Sequence, residues 1–166
     1  MNYAKIKPVD VANGEGVRVS LFVSGCSHRC KGCFNSELWD YNAGRDVTTE
    51  TTTEIIKLCS KSYISGLSLL GGEPLDPKNV NIVTIIAQFF KQHFPNKTIW
   101  CYTGYEWETV KHLEIMKHID ILVDGKFVEE LKDPRLKFRG SSNQRIIDVK
   151  KSLESGNIFV RKDLME

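Results

Sequence analysis

The sequence predicts an α/β protein, a single domain built on a parallel sheet. Three observations carry that expectation. Runs of strand length alternate along the chain with longer segments whose apolar residues recur at helical spacing. The strand-length runs are apolar, as strands buried beneath crossover helices must be. The chain has 166 residues, 41% hydrophobic and 27% charged, which suits one hydrophobic core and argues against disorder.

Each element follows from a local pattern. Val17, Val19, Leu21 and Val23 recur at period two and predict a strand, which runs into the loop VSGCSHRCKGCFN. A helix follows, with Thr51 and Glu54 at capping-box spacing and Ile55, Ile56 and Cys59 on one face. Gly66 to Leu70 is a short apolar run expected as a buried strand, ending in Gly71-Gly72-Glu73-Pro74. Asp76-Pro77 offers an N-cap and a first-turn proline to a helix whose face is Ile82, Ile85, Ile86, Phe89 and Phe90. Thr98 to Thr103 predicts the next strand, closed by Gly104. Trp107, Val110, Leu113 and Met116 mark a further helix. Ile121 to Val123 predicts a strand that ends in Asp124-Gly125-Lys126, and Arg145 to Val149 a last one. The main domain is expected over residues 1–149. Residues 150–166 are expected as a charged, loosely held tail.

In such sheets, sites gather beyond the carboxyl ends of the strands. The cysteine loop, the GGEP loop, the TGY segment and the DGK segment each follow a predicted strand. All four are therefore expected at one edge. The net charge of +2 is too small to point to nucleic acid or a membrane surface. No apolar run reaches the roughly 20 residues that cross a bilayer. The first residues, MNYAKIKPVD, lack the apolar core of a secretory signal. The expected compartment is the cytoplasm, where thiols stay reduced and clustered cysteines bind metal or react.

Cys26, Cys30 and Cys33 lie within eight residues, and the chain has five cysteines in all. Thiolates at this spacing face a soft metal centre. Two kinds of centre compete. A structural zinc ion takes four ligands, the fourth then being His28, Cys59 or Cys101. A cubane iron–sulfur cluster takes one cysteine per iron. Held by only three, it leaves one iron open to bind something else.

The segment Cys26-Ser-His-Arg-Cys30-Lys-Gly-Cys33 resembles the CxxxCxxC signature of the radical S-adenosylmethionine superfamily, and Gly71-Gly72-Glu73 resembles its GGE motif. Six further stretches narrow the likeness: NGEGVR from Asn13, LFVSGC from Leu21, the GGEPL run, WCYTGY from Trp100, LVDGKF from Leu122 and RGSSNQR from Arg139. Together they resemble the family of glycyl-radical activating enzymes that serve anaerobic ribonucleoside-triphosphate reductases. That resemblance implies a partial (β/α) barrel with parallel strands. It implies that Cys26, Cys30 and Cys33 hold a [4Fe-4S] cluster whose open iron binds S-adenosyl-L-methionine.

The chemistry implied is reductive cleavage of that cofactor. One electron from a donor such as flavodoxin enters the cluster. A carbon–sulfur bond breaks to give methionine and a 5′-deoxyadenosyl radical, which takes a hydrogen atom from a glycine of the partner reductase. The cofactor contacts implied are Gly32, Cys33, Phe34, Gly71, Gly72, Glu73, Asp124 and Lys126. Many relatives carry an aromatic just before the third cysteine; here that place is Gly32, and Phe34 follows it.

Plainer alternatives stand beside these assignments. Glu73 also reads as a solvated loop carboxylate and GGEP as a tight turn, while His28 reads first as a surface residue. Cys59 and Cys101 read as small core residues, and Trp100, Tyr102 and Trp107 as packing. Arg135, Lys137, Arg139 and Arg145 read as a solvated face or as a docking surface for the reductase. At the level of the whole protein the alternatives are an activase of the pyruvate formate-lyase type and a non-enzymatic zinc-binding module.

Overall fold

The computed structural model describes residues 1–165. Seven strands form one mixed sheet in the order β3-β1-β2-β4-β5-β6-β7. They are β1 Asn2–Asp10, β2 Val17–Val23, β3 Arg45–Asp46, β4 Ile64–Gly71, β5 Thr98–Tyr102, β6 Ile121–Asp124 and β7 Arg145–Asp148. The four central strands β2, β4, β5 and β6 run parallel, as expected. The flanks do not: β1 pairs antiparallel with β2, β3 with β1, and β7 with β6.

β1 escapes a periodicity search because NYAKIKPVD mixes charges with apolar residues and contains Pro8. Its register with β2 is irregular between Lys7 and Asp10. That is where a residue without an N–H is tolerated.

Side chains alternate across the sheet. Val19, Leu21, Val23, Leu67, Leu69, Ile99, Cys101 and Leu122 turn to one face and form the main core. Helices α1 (Thr49–Cys59) and α2 (Val80–His93) cover that face with Ile55, Cys59, Val83, Ile86, Ala87 and Phe90. α1 starts at a capping box between Thr48 and Thr51, one turn before the expected Thr51–Glu54 pair. The N-cap of α2 is Asn79, because Asp76 is already committed to a turn by accepting from Lys78 N. The buried stripe of α2 is Val83, Ile86, Ala87 and Phe90, whereas Ile85 and Phe89 of the expected face are exposed.

The helix expected from Trp107 breaks into α3 (Trp107–Val110) and a 3-10 turn at Glu114–Lys117. Both pieces still bury Trp107, Val110, Ile115 and Met116. Of the segment expected to be loosely held, residues 150–165 are ordered, and Glu166 lies outside the described residues. Asp148 caps α4 (Val149–Ser155) by accepting from Lys151 N, and Gly156 closes it at φ 75°. The chain then returns along β7, where Asp148 N donates to Phe159 O and Arg161 N donates to Ile146 O.

Among the described residues, the opposite face carries no long helix. Phe22, Leu70, Trp100, Tyr102, Ile121 and Val123 point to it. Loops cover it, with Leu38 from the cysteine loop, Phe138 from the segment after β6, and Leu164 and Met165 from the end of the chain. Among the described residues no helix is long and apolar enough to cross a membrane.

Candidate functional site

The loops that follow β2, β4, β5 and β6 meet at one cavity of about 330 Å³ on the loop-covered face. Cys26, Cys30 and Cys33 line it, with Phe34 beside them. Gly71, Gly72 and Glu73 arrive from the second loop, Thr103 and Gly104 from the third, Gly125, Phe127 and Arg139 from the fourth.

All three thiols are free and half-buried. Burial raises the Cys26 and Cys30 thiols above their ordinary range. Backbone N–H groups of His28 and Arg29 oppose this at Cys26, and the Phe127 N–H with the Lys126 charge opposes it at Cys30. Such donors favour a sulfur that carries negative charge. Among the described residues, no three His, Cys, Asp or Glu side chains converge on a point as ligands of a single ion. A zinc site needs that convergence. A cubane, with one thiolate per iron, does not. Two of the candidates for a fourth zinc ligand also lie elsewhere: Cys59 and Cys101 are fully buried in the main core and do not line the cavity.

Glu73 is not a solvated carboxylate. It is 1% exposed and accepts four hydrogen bonds. Its Oε1 meets His28 Nε2 at 2.6 Å and Gly104 N at 2.7 Å; its Oε2 meets Leu75 N at 3.0 Å and Thr103 Oγ1 at 2.9 Å. These fill the roughly four acceptor positions of a carboxylate. One side chain thus ties the cysteine loop, its own loop and the loop after β5 together. Nothing in its local sequence signals this, because the partners lie up to 45 residues away.

The two glycines before it serve the same closure. Gly72 N donates to Val23 O and Glu73 N to Gly25 O. A Cβ on Gly72 would lie 2.5 Å from Gly25 O, and one on Gly71, at φ 109°, 2.6 Å from Val23 O. Gly71 and Gly72 therefore let two of the chain's own loops touch, beyond the ligand approach expected of them.

The fourth loop departs from expectation. Asp124 is 1% exposed and faces away from the cavity. It accepts from Trp107 N at 2.8 Å and from Arg145 Nη2 at 2.6 Å, and Arg145 also pairs with Glu108. This is an ion pair that fixes the end of β6 to α3. Lys126 is exposed beside Cys30 and does not line the cavity. Gly32, at φ 74°, turns the cysteine loop against Glu129 and also stays outside. Phe34 is at the rim, 60% exposed, its ring 5.1 Å from that of Phe127.

Of the basic residues expected as one solvated face, only Arg135 and Lys137 are exposed. Arg139 donates to the carbonyls of Ser142, Gln144 and Met165 and lines the cavity. Gln144 holds the same segment, accepting from Gly140 N and Ser141 N and donating to Gly125 O. The run RGSSNQR is thus the foot of a strap across the cavity.

Asn13, Trp39 and Tyr102 also line the site, so Tyr102, expected as packing, reaches the cavity as well. Asn13 belongs to a polar network beneath the floor. Its side chain donates to Asp10 at 2.7 Å, and its carbonyl accepts from Ser68 Oγ. Ser68 in turn accepts from the buried Arg18, whose contacts are all to neutral oxygens.

Comparison with known proteins agrees with this geometry. The model of the 4Fe-4S single cluster domain family matches residues 12–147. The chain is similar to the anaerobic ribonucleoside-triphosphate reductase-activating protein of Enterobacteria phage T4, with 45% identity over 146 residues, covering 88% of this chain and 93% of that protein. It is 44% identical to the Escherichia coli K12 protein of the same name over 148 residues, covering 87% and 96% of the two chains. It is also 44% identical to the Vibrio cholerae one over 153 residues, covering 88% and 97%. A protein with three free cysteines in one cavity, matched along most of its length by these relatives, belongs to the family of anaerobic ribonucleoside-triphosphate reductase-activating proteins.

Proposed function

We propose that this protein is a cytoplasmic radical S-adenosylmethionine enzyme that installs a glycyl radical on an anaerobic ribonucleoside-triphosphate reductase. Its parallel strands would act as a partial (β/α) barrel, open at the end where the four loops meet. The observation that carries the proposal is the meeting of Cys26, Cys30 and Cys33 with Gly71, Gly72 and Glu73 around a single cavity.

The three thiolates would hold a [4Fe-4S] cluster with one iron left for S-adenosyl-L-methionine. When bound, the pair supplies one-electron cleavage of a carbon–sulfur bond and hence a radical able to take hydrogen from glycine. The chain's own residues do the rest. The N–H groups beside Cys26 and Cys30, and the charge of Lys126, oppose the burial that favours the protonated thiols and so ease their conversion to thiolates when a cluster binds. Glu73 sets the distance between the cysteine loop and the glycine pair, so the two halves of the cofactor site are built before anything binds. Phe34, Gly71 and Gly72 remain the direct cofactor contacts, with Cys33 beside them. The apolar wall of Leu70, Val123, Phe127 and Phe138 keeps water from a reactive intermediate. The electron donor is a small reductant of the flavodoxin kind.

Anaerobic reconstitution tests the proposal. Wild-type protein should bind roughly four irons and absorb broadly in the visible, and dithionite should bleach it. With S-adenosyl-L-methionine it should release 5′-deoxyadenosine. Alanine at Cys26, Cys30 or Cys33 should abolish iron binding, while alanine at Cys59 or Cys101 should leave it intact. A colourless wild-type protein that takes up one zinc ion would overturn it.

A further inference from the structure

Among the described residues, three buried side-chain polar atoms have no hydrogen-bond partner: Trp39 Nε1, Tyr102 OH and Arg139 Nε. Their residues all line the one cavity that holds the cysteines. They reach it from three separate elements: the end of the cysteine loop, the end of β5, and the strap after β6. Buried polar groups are paired in folded proteins, because an unmade bond forfeits the hydration it lost. Three lapses around one space, and none elsewhere among the described residues, are accounted for if the packing is completed by an occupant.

The chemistry of the groups constrains that occupant. An indole N–H donates only, and so does a guanidinium N–H; a phenol can donate as well. The surrounding wall is apolar, with Leu70, Val123, Leu136 and Phe138. The complementary ligand surface therefore presents neutral oxygen or nitrogen acceptors. Arg139 already donates to three backbone carbonyls, and the buried Glu73 carboxylate lines the same cavity, so a neutral acceptor suits the wall better than a second carboxylate.

The three atoms are sealed behind the cavity wall, so an occupant must shift a wall side chain to reach them. Phe138 is placed to be that seal. It packs on the same cluster of Trp100, Ile121, Val123 and Ile146 that Tyr102 borders. It also has φ 60°, a left-handed backbone unfavourable for a bulky residue. Movement of the strap at Phe138-Arg139 would relieve that backbone and open the part of the wall shared by Tyr102 and Arg139.

We propose that Trp39, Tyr102 and Arg139 are ligand-contact residues, which donate to neutral acceptors of the molecule filling the cavity once the strap at Phe138 yields. Two sources offer such acceptors next to the cysteines: the nucleoside half of S-adenosyl-L-methionine, and the main-chain carbonyls of the glycine segment of the reductase. Glycine has no side chain, so its recognition must use the main chain. This inference rests on the function proposed above.

Tyr102→Phe is the decisive variant, because it removes only the unpartnered hydroxyl. Trp39→Phe is the second. The reconstituted holoprotein is titrated with S-adenosyl-L-methionine by calorimetry, and with the reductase by the concentration dependence of glycyl-radical formation. In parallel, the thermal midpoint of each ligand-free variant is measured. The expected result is an unchanged or raised midpoint for Tyr102→Phe, with affinity in one of the two titrations weaker by about tenfold, the loss of one hydrogen bond. Loss in the first titration identifies the nucleoside as the ligand, and loss in the second identifies the reductase segment. Wild-type affinity in both, for both variants, would overturn the inference. So would a large fall in the ligand-free midpoint for Tyr102→Phe, since the hydroxyl would then have a partner inside the chain. A wild-type holoprotein that keeps its cluster yet binds no S-adenosyl-L-methionine would overturn the proposed function, and this inference with it.

Discussion

Replacing Glu73 by glutamine separates the two roles open to this residue. The side chains are nearly isosteric, so packing is preserved. The change removes the negative charge and turns one acceptor oxygen into an NH2 group. Whichever oxygen is replaced, the new N–H bonds point at existing donors. On one side these are Gly104 N and His28 Nε2, on the other Leu75 N and Thr103 Oγ1. The site is 1% exposed, so water cannot repair the clash. Hydrogen bonds to a charged group are worth about 1.5–3 kcal/mol each. Removing one partner from a buried charged set costs about 3–5 kcal/mol. For a chain of this size each 1 kcal/mol lowers the thermal midpoint by roughly 2–4 °C. Glu73→Gln should thus lower the midpoint of the cluster-free, reduced protein by roughly 10 °C. Urea unfolding should give a lower midpoint with an unchanged slope. A double-mutant cycle with His28→Gln should show coupling of about 1 kcal/mol or more, because the two side chains share a bond. Glu73→Gln protein that is as stable as wild type, yet weak in S-adenosyl-L-methionine binding, would refute this reasoning and restore Glu73 as a direct cofactor contact.

Asp124→Asn should behave the same way. It weakens the shortest bond of Arg145, which keeps its pair with Glu108, and should cost about 1.5–3 kcal/mol in denaturant unfolding, with iron content after reconstitution unchanged. Alkaline pH should weaken the cluster-free protein. Burial raises the thiols of Cys26, Cys30, Cys59 and Cys101, that of Cys59 up to about 12, so the folded state holds protons that the unfolded chain releases. Stability from these groups is complete below the unfolded thiol value of about 8.5 and declines as pH rises from there toward 10. Urea midpoints measured across pH 7–10 check this. Cluster-loaded protein should show a smaller decline, since Cys26 and Cys30 are then thiolates in the folded state at every pH in the range.

The sequence by itself determined the parallel centre of the fold and the identity of the cysteine loop. β2, β4, β5 and β6 are short apolar runs, and their periodicity is a local property of the chain. The triplet is equally local, with Cys26, Cys30 and Cys33 set by spacing alone. Tertiary structure decided what long-range pairing controls. β1 carries charges and a proline and is a strand only because β2 offers it an edge. Residues 149–165, charged and unpromising by composition, are held by bonds to β7 and by Leu164 and Met165 on the Trp100 cluster. At the site the same division holds. Glu73 follows β4 and Asp124 ends β6, and in sequence both look like carboxylates aimed at a ligand. Donors far along the chain are what separated them. Glu73 met His28, Thr103 and Gly104 and became the tie between loops; Asp124 met Arg145 and turned away. A carboxylate's role depends on which donors burial brings within about 3 Å of it. That is a property of the folded chain, not of the residues beside it in sequence.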